Sequence, residues 1–172
     1  MTAGRQPPRV NAVLRAWAVA ATVSGLPSTV HALVTRRDPL AATRAAGTLL
    51  PGGRASVLGG TVAHLVVSAG WTAVLAGLDR RRPLSVADGL TAGAVIAALD
   101  LGLASRRYPA IRALPQLPQW LDHLAYGALT AASLKAARDA EPEPPSLRRT
   151  GTSAARSRRA RGAGDPGRRR RA

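Results

Sequence analysis

Five ionisable side chains lie inside stretches that are otherwise apolar: His31, His64, Asp100, Asp122 and His123. Imidazole and carboxylate are the groups that carry protons near neutral pH and that ligate borderline metals. An ionised carboxylate at the centre of a membrane helix costs about 2.5–3.5 kcal/mol. Such a residue therefore calls for a partner, a shared proton or a shallow position. Three uses fit these residues. The first is a structural hydrogen-bond network, the second a metal or haem site, and the third a path for protons, ions or small solutes. No stretch carries a paired metal motif such as H-x-x-x-H, and no nucleophile–base arrangement is visible. Neither a metal, another cofactor nor an enzymatic activity is therefore expected.

The spacing around these residues is helical. Gly60, His64, Ser68 and Trp71 recur at i, i+4, i+8 and i+11, forming one small and polar stripe. Gly89, Gly93, Ala97, Asp100 and Ala104 form a second, and His123 shares a face with Gly127 and Thr130. Small residues allow membrane helices to approach closely, and polar residues on those faces point away from lipid. Gly60, Ser68, Gly89, Gly93 and Gly127 are thus expected helix-packing positions.

Four elements must hold these groups. The clearest is Ala55–Leu78, which runs without a formal charge between Arg54 and Asp79. It is long enough to cross a bilayer as a helix. Weaker runs cover about 16–35, 84–105 and 115–134. Pro27 interrupts the first and predicts a kink, with two half-helices as the alternative. Asp88 near the start of the third fits a helix cap. Trp17, Trp120 and Tyr126 fit interfacial anchors. Between the runs, 36–54 reads as an interfacial connector with a short helix starting at Pro39. Asp79–Pro83 reads as a tight basic turn, and 106–117 as a surface loop.

The net charge of +16 is concentrated at the C-terminal end. Residues 1–9 form a short polar lead. Residues 139–172 are rich in arginine, proline and glycine and almost free of large apolar residues, the composition of a disordered tail. Such a tail suits anionic lipid headgroups. It has no aromatic residue to stack on bases, which argues against nucleic acid. There is no cysteine, so thiolate chemistry and disulfides are excluded. The heavy use of Ala and Arg, with one lysine and no phenylalanine, is what GC-rich codons would give.

Four spans put both termini on one face, and the Arg80–Arg82 turn with the basic lead favours the cytoplasm. In that topology all five ionisable groups fall roughly 6–14 Å below the outer face, at 1.5 Å per residue. The stretches PSTVHAL, GGTVAHLVVSAGW and RRYPAIRALPQLPQWLDHLAYG resemble a group of small, uncharacterised bacterial multi-spanning membrane proteins. The resemblance spans about residues 20–130, and it implies a bacterial inner-membrane location without an activity. The expectation is an all-α, four-transmembrane-helix bundle with a disordered basic tail. Its function is expected to be structural or accessory through helix contacts, with itself or a membrane partner. The alternative is proton-coupled or small-solute transport through the polar layer.

Overall fold

The computed structural model describes residues 10–140. The expected lead, 1–9, and the expected tail beyond residue 140 lie outside the described residues. Within them the chain is helical, and no strand occurs among the described residues. Helix α1 (Val10–Val23) is followed after two residues by α2 (Leu26–Val34), and α3 (Ala41–Ala46) runs into a 3-10 turn, Gly47–Leu49. Then come α4 (Val57–Arg81) and α5 (Val86–Ala97), a π-helical segment, Ala98–Leu103, and α6 (Ala104–Arg107). Helices α7 (Pro109–Arg112) and α8 (Gln116–Asp139) complete the order.

Three helical stretches are long and apolar enough to cross a membrane: Val10–Val34, Val57–Arg81 and Val86–Arg107. Their outward faces carry exposed Val23, Val30, Val66, Val74, Val95 and Leu103, an apolar surface suited to lipid rather than water. These features are those of a membrane protein. Helix α8, the expected fourth span, matches them in length but is more polar. It packs against α1, α2, α4 and α5, and no residue from Asp122 to Leu134 is exposed. A helix so enclosed does not need an apolar surface of its own.

The most extensive packing is between α5 and α8. A Cβ on Gly89 would lie 2.5 Å from the Gly127 carbonyl oxygen, and one on Gly93 would lie 2.9 Å from Leu124 Cα. Only glycine at these positions permits the approach. Gly60 also lies in tight contact, but against the Thr43 carbonyl of α3 rather than a long helix. Around the α5–α8 contact a core forms from Ala20, Leu75, Leu84, Ile96, Tyr126 and Ala131.

Several boundaries differ from the sequence reading. The first run begins at Val10 and is interrupted at Ser24–Gly25, giving two helices instead of one kinked span. Pro27 stands in the first turn of α2, where its missing N–H costs no intrahelical bond. The basic turn after the second run is shorter than expected, because α4 continues to Arg81. Asp79 is 3% exposed, with its Oδ1 accepting the Leu84 amide at 2.8 Å and pairing with Arg138 from the end of α8. Arg138 also donates to the Leu84 carbonyl at 3.2 Å. The next turn is closed by a capping box between Ser85 and Asp88, and Arg82 binds both Asp88 oxygens, at 2.7 and 3.1 Å.

The connectors also differ. Asp38 accepts the Leu40 amide at 2.9 Å, so α3 starts at Ala41, after the Asp38–Pro39 pair. It packs on α4 and α7 and does not lie free at an interface. The 106–117 stretch contains α7, whose Ile111 is buried in a cluster with Ala45, Ala97 and Leu101. Tyr126 and Trp17 turn their polar atoms into the protein. Tyr126 is buried and donates to the Ser68 carbonyl at 2.5 Å, and Trp17 Nε1 donates to Ser68 Oγ at 3.0 Å.

Candidate functional site

Where α1 gives way to α2, backbone groups lose their helical partners. The last carbonyls of one helix and the first amides of the next are the ones left over, and two of the polar residues take them up. His64 Nε2 lies 2.9 Å from the Ala21 carbonyl oxygen. A carbonyl only accepts, so Nε2 is the protonated nitrogen. Asp122 Oδ1 accepts the Ser28 amide at 2.9 Å, one of the free donors in the first turn of α2. These two residues thus repair the break that Ser24, Gly25 and Pro27 introduce. The electrostatics agree, since a carboxylate is favoured at a helix N-terminus.

Asp100 and His123 do something else. Asp100 lies in the π-helical segment Ala98–Leu103, a local widening of the helix that is frequent at functional sites. Its Oδ2 accepts the Trp71 Nε1–H at 3.3 Å and lies 3.5 Å from His123 Nε2. His123 Nδ1 is 2.7 Å from the Gln119 carbonyl oxygen, so Nδ1 must be the donor there. A neutral ring would then turn the Nε2 lone pair towards the Asp100 carboxylate. Two lone pairs facing one another repel, and the pairing becomes favourable when one proton is held between them. That proton is carried either by an imidazolium beside a carboxylate or by a carboxylic acid beside a neutral ring. In both forms the pair is neutral overall, which removes most of the cost of a charge at this depth.

All four side chains line one cavity of about 520 Å³, within the usual size range of small-molecule sites. Ser28, Ser68, Trp71, Gln119 and Tyr126 add hydrogen-bonding or aromatic wall. Pro39, Ala42 and Thr43 from the first connector and Ile111 and Leu114 from the second complete the lining. The connectors thus form part of the site instead of lying apart from it. Tyr126 also contacts Thr72 Oγ1 at 2.6 Å, which fixes its ring against α4. Among the described residues no buried side-chain polar atom lacks a partner.

Two expected members stand differently. His31 does not line the cavity. It is three residues beyond Ser28 on α2, roughly 4.5 Å further along the helix axis, and partly buried there. His64 lines the cavity and is exposed. Among the described residues no three His, Cys, Asp or Glu side chains gather closely enough to hold a metal ion.

The sequence reading missed Asp79–Arg138 and the role of Trp71 as a donor to Asp100. For Asp79 the available signal was a lone acid beside three arginines, which read as a solvated turn. For Trp71 the signal was present, since it was placed on the His64 stripe. No family model, no curated protein and no solved structure matches the chain.

Proposed function

We propose that the chain is a four-span integral membrane protein that admits a small solute into the cavity between its helices. The observation that carries this reading is the convergence of Asp100, His123, Asp122 and His64 on one 520 Å³ space. Proton coupling fits the same space, because His123 Nε2 and the Asp100 carboxylate face one another beside it at 3.5 Å, and a proton shared between them would lie on its wall. The structural or accessory reading draws less support. Its small-residue stripes at Gly89, Gly93 and Gly127 are occupied within the chain, against one another, and are not free for a partner.

In this reading α8 is the fourth span, shielded by the three apolar ones. Both termini lie in the cytoplasm of a bacterial inner membrane, the basic tail meets anionic headgroups, and α3 and α7 cover the cavity on the outer side.

The experiment is a thermal-stability screen of the purified protein in detergent against small solutes of varied charge. A ligand at 100 times its Kd stabilises by about 2.7 kcal/mol. Ala104→Trp, which fills the cavity from a lining position, should abolish any such shift. If no solute raises the melting temperature, or if Ala104→Trp leaves the shift unchanged, the proposal fails.

A further inference from the structure

The solute class follows from the charges that face the cavity. Two carboxylates line it, Asp100 and Asp122, and among the described residues no lysine or arginine does. Among the described residues the other titratable groups lining it are His123 and Tyr126 from α8 and His64 from α4; α1, α2, α3 and α7 contribute none. Asp122 is held by an amide, a neutral donor, so its charge is left without a countercharge. His64 gives its Nε2–H to a carbonyl, which a neutral ring does equally well. With one proton held between Asp100 and His123 and with Asp122 ionised, the cavity carries a net charge of about −1. A buried uncompensated charge is costly, and a guest of charge +1 removes the cost. The aromatic faces of Trp71 and Tyr126 on the wall offer cation–π contact to the same guest.

We propose that the cavity binds a monovalent organic cation with an apolar body. The inference rests on the cavity being the solute site, and adds to it the charge of the guest.

Tetraphenylphosphonium suits the test because it is a permanent monovalent cation with an apolar body. Tetraphenylborate has nearly the same shape and the opposite charge. Calorimetry on the purified full chain reads both affinities. The expected result is binding of tetraphenylphosphonium at least tenfold tighter than tetraphenylborate. Asp122→Asn removes the uncompensated charge and should weaken cation binding at least tenfold, and the comparison of the two ions on the wild type decides the matter if that variant does not fold. Equal affinity for both ions overturns the inference while leaving the solute cavity standing. Binding of neither ion, with binding of a neutral solute that Ala104→Trp abolishes, overturns it in the same way. Binding of nothing in either screen sinks both.

Discussion

Replacing Gly127 with alanine probes the α5–α8 contact on which the cavity wall depends. A Cβ there would lie 2.7 Å from Gly93 N and 2.9 Å from Gly93 Cα, and would overlap the Gly89 carbonyl oxygen. Ordinary contact begins near 3.4 Å. The two helices must therefore part locally by more than the 0.7 Å between 3.4 and 2.7, because the Gly89 oxygen lies closer still. A gap of about 0.5–1 Å already forfeits about a quarter to a half of each dispersion contact across the seam. Overpacking costs about 1–3 kcal/mol, and the upper end applies because backbone, not a flexible side chain, must move. Alanine recovers about 1 kcal/mol of helix propensity over glycine, leaving a net loss of about 2 kcal/mol. Gly70 and Gly77 supply the control, since nothing lies within 4 Å of a Cβ at either. Alanine there should be neutral or stabilising by up to about 1 kcal/mol. Unfolding in mixed detergent micelles, followed by far-UV circular dichroism, should separate Gly127→Ala from Gly70→Ala by about 3 kcal/mol. Equal stability of the two variants would refute the close α5–α8 approach.

Asp79 and Arg138 should respond unequally, because the Asp79 side chain is 1% exposed and that of Arg138 25%. Arg138→Ala strands a buried carboxylate and should cost about 3 kcal/mol or more, whereas in Asp79→Asn the freed guanidinium turns outward at about 1 kcal/mol; the double variant should be more stable than Arg138→Ala alone in the same unfolding assay. Arg36 has φ of 54° and closes α2 in a Schellman motif, with Arg37 N–H on the Ala32 carbonyl at 2.7 Å and Arg36 N–H on Leu33 at 3.2 Å. Arg36→Gly should therefore raise stability by up to about 1 kcal/mol, and Arg36→Val should lower it, as read by melting temperature. Ser85→Ala removes the capping-box acceptor of the Asp88 amide and should cost about 1 kcal/mol; an unchanged midpoint would show the cap to be idle.

Much of the site was legible in the sequence, because the membrane makes polar residues conspicuous. Within apolar runs His64, Asp100, Asp122 and His123 stand out, and helical spacing put Ser68 and Trp71 on the His64 face and Gly89 and Gly93 on the Asp100 face. The structure brings all of these except Gly89 and Gly93 to the cavity wall, and sets those two glycines against α8. His31 was misjudged because a periodicity tells which face a residue shares but not how far a neighbouring helix extends past it. The connectors were misjudged for a related reason. Ile111 and Ala45 belong to no long periodic stretch, so their shared burial is invisible until α3 and α7 meet.

The sequence by itself determined that this protein is helical and which of its stretches are apolar enough to face lipid, since length and apolarity of contiguous residues set that cost directly; that three helices and not the expected four meet the measure was read from the structure. The sequence also determined which side chains must find partners away from lipid. Only the tertiary structure decided which partners those are. His64 and Asp122 serve the broken backbone at Ser24–Pro27, while Asp100 and His123, residues 23 positions apart in the chain, face one another at 3.5 Å. That division depends on helix ends and ring nitrogens meeting to within a fraction of an ångström, which no local pattern encodes.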